Sequence, residues 1–525
     1  MAFHPFTITR NLLGRLLAVK SARGVSFTLS IVSMASKPLG YLRMLVTAWA
    51  FGTSPGMDSF HLASSIVALF AGSIGTAMES AVLPELVHLR EKGEEGACRS
   101  VFVLVFWVVV LLTSLLCAAL VIAPGVLIRF FAGGFDTERI RMGAVMLWWL
   151  IPFAAVTMCK PLLEVWAMFK ERYTLSCLTS SLFNFVAIPV LLLGIPLIGV
   201  YSVAMSMSAG HAAVFLLFLC GLRGVPVLWR REGIIWPSVR RVAVNAAFTL
   251  VIVAASTIFM IVDRYFASRL PTGSVAAISY GGSLLGVIQT IATTPLFFFL
   301  ARISKSAAGD PAEARVIVRQ TMALLMAYFI PIGFFMASAA KPIISIVYGW
   351  GRFDQASVAM TATAFSAYCL GIVFALGIVV VYRYAQALQK LGVIVALTYV
   401  LILTNALLDW AMIGRWGIGG LALATSITQA VGFILYYLAV IGDSLIRFLL
   451  EIRFVQQMLA TGCCALLAVW SAPLGSVGQL VVTVCVALAY LFLAERGGLF
   501  PGVPEHWRPV RLASFLFSSL RSLAR

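Results

Sequence analysis

Apolar residues run along this chain in blocks of about twenty, separated by short polar stretches. A block of that length crosses the hydrocarbon core of a bilayer as a helix. Lipid offers no partner to an open backbone N–H or C=O, so each block is predicted to be helical. A transmembrane β-barrel would instead show shorter segments of alternating polarity. The blocks predict spans at 25–52, 58–85, 99–123, 141–168, 175–195, 198–222, 243–268, 274–303, 316–340, 355–383, 391–411, 418–440, 456–472 and 477–494. The fold class that follows is an all-α polytopic membrane protein of about fourteen transmembrane helices. The loops between them are too short to hold a soluble catalytic domain.

Composition agrees. Of 525 residues 61% are hydrophobic and 11% charged, with a mean hydropathy of +1.01, whereas a soluble domain carries roughly a quarter charged residues. The net charge of +18 would suit a nucleic-acid partner, but its distribution points elsewhere. With the N-terminus inside, and residues at span edges counted with the adjoining loop, 27 of the 38 Lys and Arg fall on the cytoplasmic side, seven on the outer side and four (Lys37, Arg43, Lys160, Arg264) farther inside spans. That asymmetry predicts an inner, cytoplasmic membrane protein with both termini in the cytoplasm. Anionic lipid headgroups, not nucleic acid, are the partner such a basic excess implies. The nine cysteines form no CxxC pair and no Cys/His cluster, so no metal or cofactor is expected, and those within spans read as small apolar fillers. Residues 1–24 carry four basic residues without a separate apolar core before a cleavage site, which reads as a cytoplasmic lead-in rather than a signal peptide.

An internal repeat organises the spans. Phe27 to Ser36 read FTLSIVSMAS and Phe248 to Thr257 read FTLVIVAAST, identical at five of ten positions. The same offset of 221 sets Arg43 on Arg264 and Gly52 on Gly273. Two six-helix lobes with an even number of spans would repeat in the same orientation, with a substrate site between them. The expected organisation is a lead-in (1–24), an N-lobe (25–222), an inter-lobe loop (223–242), a C-lobe (243–440), a C-terminal helical hairpin (441–494) and a basic tail (495–525).

Ionisable residues inside a membrane are costly unless they face a cavity or a partner, which makes them functional candidates. Lys37 and Arg43 flank Pro38 and Gly40 in the first span. The helical rise sets them about 9 Å apart along the axis. An arginine can grip a phosphate bidentately, and a lysine adds a mobile point charge. Arg264 joins them through the repeat. Asp58 opens the second span and reads equally as a helix cap or a gate. Glu79 lies deeper, with proton coupling and a structural role both open, and Asp263 neighbours Arg264. Lys160 and Glu164 have the i,i+4 spacing of a local salt bridge. No nucleophile elbow, Walker loop or HExxH motif is present, so no catalytic residues and no enzyme are expected. Transport would then draw on the membrane potential, an H+ or Na+ gradient, or the substrate gradient itself.

Four segments carry a family resemblance: SKPLGYLRMLVTAWAFGTSPGMDSF (36–60), VDRYFASRLPTGSVAAISYGGSL (262–284), YGWGRFD (348–354) and GIGGLALATSI (417–427). In order and spacing they resemble the MurJ/MviN family of lipid II flippases, within the MOP superfamily that also holds MATE exporters and Wzx flippases. The resemblance runs over residues 25–440. It implies two six-helix lobes in pseudo-twofold arrangement around a cavity, with a terminal hairpin forming a groove for a polyprenyl tail. It implies translocation of a polyprenyl-diphosphate-linked glycan, lipid II foremost, from the cytoplasmic to the periplasmic leaflet by alternating access. The substrate would be an undecaprenyl-linked glycolipid, with membrane lipids and the peptidoglycan synthesis machinery as further partners. Arg43 is similar to the family's cavity arginine, Lys37 to its first basic position and Asp58 to its helix 2 aspartate. The chain departs from the pattern at Leu69-Phe70-Ala71-Gly72, where the family carries an arginine pair, and at Tyr280-Gly281-Gly282-Ser283-Leu284, where it carries another arginine. Those departures leave a different lipid-linked oligosaccharide open as substrate. A MATE-like exporter of cations would want an acidic cavity, and a membrane glycosyltransferase would want more outer carboxylates than Asp136, Glu138 and Asp354.

Overall fold

The computed structural model describes residues 38–222, 225–226 and 236–500. Lys37, the first copy of the repeated decapeptide and the lead-in therefore lie outside the described residues, as does the tail beyond 500. The chain divides into two compact units, Met1–Tyr265 and Phe266–Arg525.

The first unit holds α1 (38–51), α2 (Pro55–Val67), a π-helical turn (Ala68–Gly72), α3 (Ser73–Glu91), α4 (Glu95–Ile122) and α5 (Pro124–Phe131). It continues through α6 (Thr137–Trp149), α7 (Ile151–Phe169), α8 (Tyr173–Ile198), α9 (Tyr201–Gly221) and nearly all of α10 (Trp236–Ala267). The second holds α11 (Ser274–Gly309), α12 (Pro311–Ser338), α13 (Ala340–Tyr348), α14 (Gln355–Ala387) and α15 (Leu391–Val440). It closes with α16 (Leu445–Glu451), α17 (Phe454–Trp470) and α18 (Gly475–Arg496). Helix α10 begins at Trp236, seven residues ahead of the predicted span at 243.

From Asp136 onward the backbone repeats between units at an offset of 218 residues. Asp136 and Asp354 each N-cap the helix that follows, accepting from the amide N–H of Arg139 at 3.0 Å and of Ser357 at 2.8 Å. Glu171 (φ 59°) and Gln389 (φ 57°) are both left-handed. Each closes a helix through the same pair of hydrogen bonds, Glu171 N–H to Met168 and Arg172 N–H to Ala167, then Gln389 N–H to Gln386 and Lys390 N–H to Ala385. Gly199 (φ 58°, ψ −133°) matches Gly417 (φ 51°, ψ −129°). Earlier in each unit the offset is 221, where Gly52 (φ 54°) and Gly273 (φ 95°) both take the positive φ that glycine tolerates. One stretch differs: α14 is a single helix, while its counterpart breaks at Leu150 into α6 and α7. Pro152, where the second unit has Leu370, removes an amide donor at that break.

Helix α7 packs against α3, α4 and α9 at the centre of the first unit, and α14 packs against α11, α12 and α15 at the centre of the second. Small residues let these backbones close up. A Cβ on Gly75 would meet the Thr157 carbonyl at 2.7 Å, and one on Gly333 the Cys369 carbonyl at 2.6 Å. The terminal helices lie on α12 through an apolar cluster of Leu324, Phe335, Ala465 and Tyr490.

Among the described residues eleven helices are long and apolar enough to cross a membrane, or up to twelve if the bent pair Leu445–Glu451 and Phe454–Trp470 is one span. The chain is thus an all-helical polytopic membrane protein, but the count of fourteen is not established. The first predicted span starts outside the described residues, and α15 counts once although it turns at Gly417.

Candidate functional site

Arg43 and Arg264 are brought to one place. Arg264, 9% exposed near the end of α10, donates from Nη1 to the His61 carbonyl of α2 at 2.8 Å. That carbonyl also receives the hydroxyls of Ser64 (3.0 Å) and Ser65 (2.7 Å). The His61 ring lies within electrostatic reach of both arginines. Arg43 projects from α1 over the Phe183 ring, 5.4 Å from its centroid, and its buried Nε finds no hydrogen-bond partner among the described residues. An unsatisfied guanidinium nitrogen in a low-dielectric interior is poised for an acceptor. Asp263, beside Arg264, is 7% exposed.

A second polar group lies on α7. Lys160 Nζ pairs with Glu164 Oε1 at 3.0 Å, as their spacing predicts, and Glu79 of α3 is within electrostatic reach of both. His211 of α9 is wedged edge-on between Phe153 and Phe183 (centroids 4.5 Å each) and senses Lys160 and Arg43. The interior of the first unit thus holds Arg43, Lys160 and Arg264 together with two imidazoles and the carboxylates of Glu79, Glu164 and Asp263.

Asp58 stands apart from that set. It is fully buried in the first turn of α2, where its Oδ2 lies 3.5 Å from Arg139 Nη1. Arg139 itself is 7% exposed, stacks over Phe135 at 4.6 Å and also bonds Asp136 at 3.0 Å. Sequence reading takes Arg139 for an outer-loop charge; its partner is 81 residues away, which no local pattern reveals. The hydrogen bonds at the Asp136 carboxyl, the Arg139 amide foremost, hold its pKa below the usual range, and the Ser357 amide does the same for Asp354.

The second unit has a different interior. Asn405 Nδ2 donates to Asp409 Oδ2 at 3.0 Å, and Thr428 Oγ1 donates to Asn405 Oδ1 at 3.2 Å. Asn405 and Asp409 are fully buried, and Thr428 is 1% exposed. At the 218 offset the first unit has Ala187, Leu191 and Gly210 instead. Conversely Lys160, Glu164 and His211 correspond to Ile378, Tyr382 and Gln429. One scaffold therefore carries cations beside carboxylates and imidazoles in one copy and a carboxylate with amide and hydroxyl partners in the other. No group of three His, Cys, Asp or Glu suited to a metal occurs among the described residues.

Two internally repeated units of membrane-spanning helices, each with charged side chains buried among apolar helices, have the fold of solved transporters of the MOP superfamily. A multidrug-resistance MATE transporter of that superfamily in an inward-facing conformation superposes with a TM-score of 0.67 at 11% identity, covering 76% of this chain and 93% of that one. The lipid II flippase MurJ in its inward closed conformation superposes at 0.74 with 18% identity, covering 90% and 99%. The family model described as lipid II flippase MurJ matches residues 47–492, and the chain belongs to that family. A relative described as a probable lipid II flippase MurJ, from Buchnera aphidicola of Acyrthosiphon pisum, is 23% identical over 438 residues, 78% of this chain and 81% of its own.

Proposed function

We propose that this chain translocates a polyprenyl-diphosphate-linked glycan, lipid II in the first instance, from the cytoplasmic to the periplasmic leaflet of a bacterial inner membrane. The observation that carries this reading is the convergence of Arg43 and Arg264 on His61 inside the first unit, with Arg43 Nε lacking an acceptor among the described residues. A diphosphate supplies several charged acceptors that such guanidinium groups bind in charge-assisted hydrogen bonds. Membership of the flippase family supports lipid II over an exported cation. The substrate's tail stays in the bilayer while two lobes alternate their access, and the termini face the cytoplasm as the basic loops require.

Coupling is assigned to the membrane potential or to an H+ or Na+ gradient. The Asn405–Asp409–Thr428 group supports this, since a carboxylate fully buried in a span gains by binding a proton or a small cation. Asp58, Glu79 and Asp263 are the other coupling candidates. A second reading, a flippase for another lipid-linked oligosaccharide, is favoured by one observation. The stretch Leu69-Phe70-Ala71-Gly72, where the resemblance expects an arginine pair, falls in the π-helical turn Ala68–Gly72, and Ala71 is fully buried. Complementation of cells depleted of their own lipid II flippase separates the two: growth with wild type and not with Arg43→Ala supports lipid II. Failure of the inserted wild-type protein refutes it.

A further inference from the structure

The ends of three candidate spans, Pro55–Glu91, Glu95–Ile122 and Ile151–Phe169, meet around a cavity of about 460 Å³. Arg90, Glu95, Gly96, Arg99, Trp166, Lys170 and Glu171 line it. Because it is built from span ends, it lies at headgroup depth, and the basic loops set that face in the cytoplasm. Its charges are unequally committed. Arg90 pairs with Glu171 at 3.4 Å and donates to the Phe169 carbonyl at 3.3 Å. Arg99 and Lys170 form no ion pair among the described residues, and Glu95 is exposed to solvent. Lys170 is instead held over the Trp166 and Phe169 rings, 5.2 and 5.6 Å from their centroids. Trp166 is 4% exposed, and its indole N–H finds no acceptor among the described residues. The first turn of the 28-residue helix α4 opens beside these groups, capped by no side chain. Its amide donors and dipole favour an anion.

The repeated unit makes the contrast plain. Lys170 and Phe169 correspond to Leu388 and Ala387. At the start of α12, Arg315 and Arg319 are both engaged by Asp443, and Arg319 and Arg447 by Glu451. In the second unit carboxylates neutralise the arginines at the start of α12, while the first unit leaves two cations and an indole N–H around a cavity.

We propose that this cavity is a binding site for the phosphate of an anionic phospholipid headgroup, with Arg99, Lys170 and Trp166 as its donors and the acyl chains lying along the exposed face of α4. It is separate from the Arg43–Arg264 site and does not depend on the transported substrate. Basic pockets between transmembrane helices on the cytoplasmic side suit that chemistry, and a tryptophan belongs at that depth.

The test uses full-length protein in phosphatidylcholine bilayers with trace spin-labelled phosphatidylglycerol or phosphatidylcholine, reading the motionally restricted fraction of each. Wild type is expected to hold phosphatidylglycerol roughly 25-fold more strongly than phosphatidylcholine, about fivefold for each cation. Arg99→Gln with Lys170→Gln should abolish that preference, and Lys170→Gln alone should lower it by roughly fivefold. Arg383→Gln with Lys390→Gln removes two cations from the corresponding helix end of the other unit and should leave it intact. Lys170 and Lys390 are exposed, so single substitutions there test the idea even if the double variant misfolds. Equal retention of the two lipids overturns the proposal, as does a preference unchanged by the Lys170 substitution. Displacement of the label by millimolar inorganic phosphate would also overturn it, because it would mark a site for free phosphate.

Discussion

Removing the Arg139 guanidinium should destabilise the first unit more than any other single charge removal. Asp58 is fully buried and Arg139 7% exposed, and the charged groups stand 3.5 Å apart. Arg139→Ala removes the cation 3.5 Å from a carboxylate that solvent does not reach, a change that typically costs about 3–5 kcal/mol. At roughly 2–4 °C per kcal/mol for a unit of this size, the midpoint of heat-induced unfolding in detergent should fall by about 6–20 °C. Asp58→Asn with Arg139→Met removes both charges and should be less damaging than Arg139→Ala, because burying an unpaired charge is the dominant loss. The contact with Asp136 cannot supply an effect of this size, since that carboxylate is 61% exposed. A double-mutant cycle on the thermal midpoints measures the coupling. Additive effects, with each single substitution within about 1 kcal/mol of wild type, would refute the pair as a structural element.

Other outcomes follow from the same geometry. Gly333→Ala should force α12 from α14 and cost about 1–3 kcal/mol by thermal unfolding, whereas Gly286→Ala, with nothing within 4 Å of its Cβ, should not. The caps Asp136 and Asp354 have carboxyls with lowered pKa, so their stabilisation is present above the ordinary value of about 3.9 and is lost as pH falls through the folded value. Asp136→Asn with Asp354→Asn should flatten that acid loss between about pH 4 and 2, read by thermal midpoint against pH. Asp409→Asn should remove any dependence of flipping on an imposed ion gradient while leaving insertion unchanged. Transport that still follows the gradient would exclude Asp409 from coupling.

How much of this was legible in the sequence depended on the range of the interaction. Helices were legible because lipid leaves the backbone no alternative, so length and hydropathy suffice. The break at Leu150 lay inside the predicted span 141–168, although Pro152 marks it. The equivalence of Arg43 and Arg264 was visible in the decapeptide match, but the rest of the repeat was not. Glu171 and Gln389 share a backbone conformation rather than a residue type, and only dihedral angles reveal it. Lys160 and Glu164 were paired correctly because i,i+4 neighbours are local. Arg139 with Asp58, and His61 with Arg43 and Arg264, needed the folded chain to bring distant segments together. Asp409 lies inside the predicted span 391–411, and its link to Thr428 through Asn405 joins residues 19 apart that no local pattern connects.

The most direct measurement of the central claim is the amount of lipid II exposed on the outer face of cells depleted of their own flippase. It is read by enzymatic modification from outside, with this chain or its variants expressed at matched levels. Wild type should restore exposure, and Arg43→Ala and Arg264→Ala should each lower it at least tenfold while inserting normally. Full exposure with Arg43→Ala, or none with the inserted wild-type chain, would contradict the assignment of these arginines to the transport of lipid II.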